Sequence, residues 1–90
     1  MYSLEPTPLE ISKALATRHR TLRKQLKMSQ EEMAERSGVS LGSLKRFENT
    51  GKISLESMLK LMRMLGRLNE FDNLLREKEN LDEIKKLFSK

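Results

Sequence analysis

The segment 29–51, with the sequence SQEEMAERSGVSLGSLKRFENTG, constrains the fold of this chain more than any other part. Ser29 followed by Glu32 forms a capping box, in which the hydroxyl and the carboxylate each accept a hydrogen bond from a backbone N–H at a helix start. Gly38 stands where this helix must end, because glycine adopts a left-handed conformation at little steric cost. Ser40 then caps a second helix that runs to about residue 49. The segment therefore predicts two short helices joined by a tight turn.

A helix, a glycine-containing turn and a second helix form the layout of the DNA-reading helix-turn-helix motif. The distribution of charge suits that motif. Residues 1–67 contain 13 Lys or Arg against seven Asp or Glu, whereas residues 68–90 contain five against six. A basic body with a near-neutral tail is typical of a DNA-facing part joined to a protein-facing part. A basic charge is also common among small domains that bind no nucleic acid, so charge alone does not establish the function.

The length of 90 residues predicts a single domain over 1–90. The absence of cysteine excludes disulfides and thiolate metal sites. The apolar runs are only a few residues long, far short of a membrane span, and the opening MYSLEPTPLE lacks the pattern of a signal segment. We therefore expect a cytoplasmic protein that does not bind a membrane.

Helical spacing of apolar residues predicts the other helices. Thr7, Pro8 and Glu10 suit the start of a first helix, which ends near residues 27–28. Its predicted buried stripe consists of Ile11, Leu15, Leu22 and Leu26. Three further helices are expected at 54–65, 69–77 and 81–88, and their predicted apolar residues include Met58, Phe71, Leu74, Leu75, Leu81, Ile84, Leu87 and Phe88.

These elements predict an all-α fold, a compact bundle of five to six short helices that contains a helix-turn-helix. The predicted DNA-binding core covers 8–66, with helix 2 at about 30–37 and the recognition helix at about 41–49. Met33, Ala34, Val39, Leu44 and Phe47 are its expected buried residues. The segment 67–90 forms a C-terminal helical extension that closes the core, supports dimerisation or binds a partner.

Residues 18–65 resemble the Cro/CI-type helix-turn-helix family, also called the xenobiotic-response-element regulators. The resemblance rests on LRKQLKMSQEEMAERSGVSLGSLKRFENTG and the following SLESMLKLM. The pattern SQ-acidic-acidic-apolar-Ala, then Gly-Val-Ser, then apolar-Glu-Asn is specific in combination. It implies a lambda-repressor-like DNA-binding domain whose third helix lies in the major groove.

The resemblance also implies roles for individual residues. Gln30 takes the position of a phosphate contact, and Asn49 that of a residue beside the DNA backbone. Arg23 and Glu48 occupy the positions of a buried structural ion pair. The start of the third helix, where base contacts are expected, carries Ser40, Leu41, Gly42 and Ser43, with Arg46 one turn on.

The chemistry of these side chains separates base contacts from backbone contacts. Arg46 is the best candidate for reading a base, because its guanidinium can bridge O6 and N7 of guanine. Leu41 either touches a thymine methyl group or is an ordinary exposed leucine. We expect Ser43, Lys45 and Lys52 to meet phosphate or sugar. Gly42 departs from the family, in which a long polar side chain is common here, so either the backbone approaches DNA closely or recognition relies on Arg46 and DNA shape.

The chain offers no sequence signal of an enzyme or of a metal protein. It has no nucleophile–base pair and no glycine-rich phosphate loop, and its single histidine, His19, lacks ligands at metal-binding spacing. The sequence therefore predicts no catalytic residue, no cofactor and no metal site.

The region SLESMLKLMRMLGRLNEFDNLL is similar to antitoxins of the HipB type, which repress the operon that encodes them together with a kinase-like HipA toxin. The resulting hypothesis is a homodimeric repressor of its own operon that binds a palindromic operator on double-stranded DNA and has a kinase-like toxin as a possible partner. Two alternatives remain: a stand-alone phage- or plasmid-type repressor, and a protein–protein adaptor on a helix-turn-helix scaffold.

Overall fold

The computed structural model describes residues 5–77 and 81–88, with the side chains of 81–83 excepted. The described residues form six α-helices and no strand, which confirms the all-α prediction. The helices are α1 (Pro8–Gln25), α2 (Gln30–Ser37), α3 (Leu41–Thr50), α4 (Leu55–Met64), α5 (Leu68–Asp72) and α6 (Leu81–Phe88). None of the helices in the described part of the chain is long and apolar enough to cross a membrane.

Side-chain caps set the start of the first four helices. Thr7 and Glu10 form a complete capping box at α1, and Ser40 and Ser54 accept hydrogen bonds from backbone N–H groups at α3 and α4. At α2 only half of the predicted box is present. The Ser29 hydroxyl accepts from the N–H of Glu32, but the Glu32 carboxylate pairs with Arg36, 3.1 Å away on the next turn.

The core consists of buried residues from α1, α2, α3 and α4. Helix α3 packs against α1 and α2, while α4 packs against α2 and α5. All five residues that the helix-turn-helix segment was expected to bury are buried, and Met58 and Leu61 join them from α4. This arrangement leaves one side of α3 facing solvent.

The predicted stripe of α1 is wrong in its register. Ile11 and Leu26 are about half exposed, at 47% and 51%, and Leu15 and Leu22 are only partly buried. The buried residues of α1 are Ala16, His19 and Arg23. The helix turns a polar face inward because α3 supplies a buried carboxylate, which the spacing of apolar residues does not reveal.

Gly51 requires its glycine because the turn after α3 lies directly on α1. Its φ is +81°, in the left-handed region that other residues rarely adopt. A Cβ atom at this position would lie 3.0 Å from the backbone of both Ser12 and Lys13. The close approach holds the end of α3 against α1.

The C-terminal part differs most from the prediction. Helix α5 ends at Asp72 and not near residue 77. Phe71 packs against the core, but Leu74 and Leu75 are 59% and 102% exposed and do not close it. Helix α6 lies at the predicted position; the side chain of Leu81 lies outside the described residues, and Ile84, Leu87 and Phe88 are exposed.

Candidate nucleic-acid interface

The turn between α2 and α3 fixes the two helices relative to each other. Gly38 ends α2 with a φ of +82°, and its N–H donates to the carbonyl of Ala34. The Ser37 hydroxyl then accepts from the N–H of Val39 at 3.2 Å. At the start of α3, the Ser40 hydroxyl accepts from the N–H of Ser43 and donates to its hydroxyl at 2.9 Å. Both serines of this cap are exposed.

The solvent side of α3 carries most of the predicted DNA contacts. Leu44, Phe47 and Glu48 point inward and are buried. The exposed residues of the helix are Gly42, Ser43, Lys45, Arg46, Asn49 and Thr50. The exposed side of α3 thus combines two cations with small polar groups.

Two residues at the start of α3 present little to a ligand. Leu41 is half-buried and packs against the core, so its predicted outward position is wrong. Tertiary packing draws part of its side chain onto the buried core. A Cβ atom added to Gly42 would meet no heavy atom within 4 Å. The helix backbone is therefore accessible from solvent at this position.

A cleft of about 340 Å³ lies between α3 and the start of α4. It is lined by Ser43, Arg46, Lys52, Ile53, Ser54 and Ser57, and no carboxylate is among these residues. Three predicted contact residues, Ser43, Arg46 and Lys52, are thereby brought together. Ser57, which was not among the predicted contacts, also lines the cleft, and its position one turn after the cap of α4 was the available signal.

Thr50 links Arg46 and Lys52, the two cationic residues of this cleft. Its hydroxyl donates to the carbonyl of Arg46 at 2.7 Å and accepts from the N–H of Lys52 at 3.1 Å. Thr50 therefore fixes the turn that carries Lys52 to the end of α3.

The Glu48 carboxylate lies at the centre of a buried polar cluster behind α3. Arg23 donates to it from Nε at 2.9 Å and from Nη2 at 3.0 Å. His19 Nδ1 lies 2.8 Å from the same carboxylate, and Gln30 Nε2 donates to it at 3.0 Å. The pair placed at Arg23 and Glu48 is thus formed with bidentate geometry, which makes it stronger and more directional than a single contact.

The side-chain amide of Gln30 uses only part of its hydrogen-bonding capacity within the protein. One amide N–H points to Glu48, but a second N–H and the amide oxygen remain for another partner. Its side chain is half-buried at the start of α2. A phosphate contact by Gln30 is therefore compatible with its internal hydrogen bond and stays a proposal.

His19 and Arg20 are partners of the end of α3 that were not predicted from the sequence. His19 is only 5% exposed. Arg20 Nη2 donates to the carbonyl of Glu48 at 3.2 Å and to Oδ1 of Asn49 at 3.4 Å. The spacing of Ala16, His19 and Arg23, which is that of one helical face, was the signal for His19.

The electrostatics of the cluster favour an ionised Glu48 beside a neutral His19. Burial raises the pKa of Glu48, but hydrogen bonds from Arg23, Gln30 and His19 outweigh it and lower this pKa to about 2. Burial lowers the pKa of His19 despite the neighbouring Glu48 carboxylate, and the charge of Arg23 lowers it further. Nδ1 of His19 carries the proton because an ionised carboxylate only accepts, and the buried Nε2 has no partner among the described residues.

These pKa shifts predict that acid destabilises the fold. A lowered histidine pKa gives stability that is complete above about pH 6.5 and decreases below it. A lowered Glu48 pKa gives stability that decreases as the pH falls from about 4.5 towards 2. We therefore expect the free energy of unfolding, measured by urea denaturation, to decrease from pH 7 to pH 5 and again to pH 3. In Glu48→Gln the second decrease should shrink; a stability that is constant or rises in acid contradicts the assignment.

The comparisons with known proteins agree with this geometry. A family model described as helix-turn-helix matches residues 20–71, which is more than half of the chain. The match includes the last part of α1 and all of α2, α3, α4 and the turns between them. No curated protein and no solved structure matches the chain.

Proposed function

The chain belongs to the helix-turn-helix family of DNA-binding transcriptional regulators, and from this premise we propose that it is a repressor that binds a palindromic operator as a homodimer. The observation that carries the proposal is the cleft beside α3, where Arg46 and Lys52 stand with three hydroxyl groups and no carboxylate. Such a surface favours an anionic ligand. The same family places the recognition helix in the major groove.

The interface divides into positioning and reading groups. Gln30, Ser40, Ser43, Lys45, Asn49 and Lys52 are the proposed contacts to phosphate or sugar, which orient the protein without specifying sequence. Arg46 is the proposed base contact, because its guanidinium is exposed and can bridge two acceptors of guanine. Leu41, half-buried against the core, contributes at most the edge of its side chain. The recognised sequence should therefore be short in each half-site.

The exposed cations of the cleft favour this function over the protein–protein adaptor, since an adaptor has no need for a surface free of carboxylates beside α3. The proposal includes action in the cytoplasm on the operon that encodes the chain itself.

The role of antitoxin for a kinase-like toxin rests only on the resemblance of the segment around 54–75 to HipB-type proteins. A kinase-like reading frame beside the gene, and co-purification of its product with this chain, test that role.

Hydroxyl-radical footprinting of the DNA directly upstream of the coding region tests self-repression. We expect two protected stretches on one face of the duplex, about 34–36 Å apart, because a two-fold dimer places its recognition helices one turn of B-DNA apart. Protection should weaken steeply with added salt, since phosphate contacts release counterions. Full protection of an unrelated site but none of the upstream DNA would contradict self-repression, and a single protected stretch would contradict the two-fold arrangement.

A further inference from the structure

Three polar side chains from three different helices, each at least partly exposed, meet at Glu48. Arg20 comes from α1, Gln30 from the start of α2 and Asn49 from the end of α3. Nε of Arg20 lies 3.6 Å, and Nε2 of Gln30 3.0 Å, from the same carboxylate oxygen, Oε1 of Glu48. Nη2 of Arg20 donates to the carbonyl of Glu48 and to Oδ1 of Asn49. The three side chains therefore lie close together, and we call them the polar cradle.

The chemistry of the partners fixes which way each amide of the polar cradle faces. A guanidinium has no acceptor, so Asn49 turns its oxygen to Arg20 and keeps the N–H groups of Nδ2 for another partner. An ionised carboxylate has no donor, so Gln30 turns its nitrogen to Glu48 and keeps one further N–H. The side-chain hydrogen bonds of Arg20 to the described residues come from Nη2, so the N–H groups of Nη1 remain. Each member thus has a donor that the described part of the chain does not use.

The charges around Glu48 leave an excess cation at the surface. Arg23 balances the carboxylate through its bidentate pair. The 3.6 Å between Nε of Arg20 and the same carboxylate is longer than a hydrogen bond. The side chain of Glu48 is 0% exposed, whereas that of Arg20 is 44% exposed. Solvent therefore meets a guanidinium and several N–H donors at this point, and not the carboxylate beneath them.

A purely structural role of Arg20 explains only part of this geometry. The carbonyl of Glu48 is one of the last four of α3, which have no partner inside the helix, so Arg20 caps the helix end. Such a cap needs one of the five N–H groups of the guanidinium and does not involve the amide of Asn49. A ligand that carries negative charge and accepts several hydrogen bonds accounts for the remaining donors.

We propose that Arg20, Gln30 and Asn49 bind one and the same DNA phosphate. A phosphate accepts several hydrogen bonds at once, and its charge matches the guanidinium. This inference rests on the proposed operator binding and deepens it, because it adds Arg20 to the interface and assigns two separate backbone contacts to a single phosphate. Since the polar cradle draws on α1, α2 and α3, that phosphate fixes the position of all three helices on the duplex without specifying sequence.

Arg20→Gln tests the charge of the polar cradle. Its Kd for a duplex enriched from a random pool by the wild-type chain is measured by fluorescence anisotropy at several salt concentrations. Loss of one phosphate contact should make the slope of log Kd against log salt shallower by about 0.9 for each bound copy. Arg20→Lys keeps the charge and should retain the wild-type slope. If Arg20→Gln lowers the free energy of unfolding but leaves the slope unchanged, Arg20 is only a helix cap and the proposal is wrong.

Arg18→Gln is the matched control for the change in net charge. Arg18 is exposed on the same helix, two positions before Arg20, and two positions on a helix do not face the same side. Its side chain lines the cavity between α1, α4 and α5 and not the polar cradle. The slope of Arg18→Gln should equal that of wild type. An equal reduction in Arg18→Gln and Arg20→Gln would show an effect of net charge alone and would overturn the proposal.

Single methylphosphonate substitutions in the enriched duplex test whether the phosphate is shared. At one position in each half-site, the neutral group should weaken binding of wild type and weaken Arg20→Gln and Asn49→Ala much less, because residues that contact one group have non-additive effects. If the two variants lose their sensitivity at different phosphates, the polar cradle does not bind a single one. A wild-type chain that enriches no duplex contradicts operator binding itself, so the two failures are distinguishable.

Discussion

Replacement of Glu48 by alanine is expected to lower the free energy of unfolding by about 3–5 kcal/mol, the range measured when one partner of a buried ion pair is removed. The variant leaves the Arg23 guanidinium, which is 7% exposed, without its counter-charge. It also removes the acceptor of His19 and Gln30. Urea denaturation at pH 7, followed by circular dichroism, measures the change. For a domain stable by about 5–15 kcal/mol, this loss is a large fraction of the total.

Glu56→Ala is the matched control for this prediction. Glu56 also pairs with a cation, Lys60, but at 3.9 Å and with its side chain 82% exposed. Exposed pairs of this spacing contribute about 0.3–0.5 kcal/mol. If Glu48→Ala and Glu56→Ala lower the free energy of unfolding by similar small amounts, the buried polar cluster around Glu48 does not hold α1, α2 and α3 together.

The helix-turn-helix itself could be predicted from local chemistry. Ser29, Gly38 and Ser40 act within four residues of their own positions, and caps of this kind are readable without tertiary structure. The burial of Leu44 and Phe47 follows from their helical spacing for the same reason. Local signals thus determine where α2 and α3 begin and which side of α3 remains open.

The features of the fold and the site that were not predicted depend on contacts between residues far apart in sequence. His19 and Arg23 turn inward only because Glu48, more than 20 positions later, meets them. The half-buried position of Leu41 and the internal hydrogen bond of Gln30 likewise arise from packing across helices. The early end of α5 and the exposure of Leu74 show that apolar spacing predicts a helical face but not the presence of a surface to cover it.

Replacement of Arg46 by alanine is expected to weaken operator binding by about 1–3 kcal/mol, which corresponds to a Kd roughly 5- to 150-fold higher, and to relax the preference at one base pair. Arg46 is the one exposed arginine of α3, and its planar guanidinium can bridge O6 and N7 of guanine, whereas Gly42 offers no side chain and Leu41 packs inward. Fluorescence anisotropy with a labelled duplex measures the change in Kd.

One comparison at a fixed salt concentration tests most directly whether the exposed side of α3 reads DNA. Wild type, Arg46→Ala and the control Arg63→Ala, whose arginine is exposed on α4, are titrated against two duplexes: one enriched from a random pool by the wild-type chain, and its scrambled counterpart. We predict that Arg46→Ala loses affinity mainly for the enriched duplex and that Arg63→Ala binds it like wild type. Equal binding of the enriched duplex by wild type and Arg46→Ala would contradict the claim.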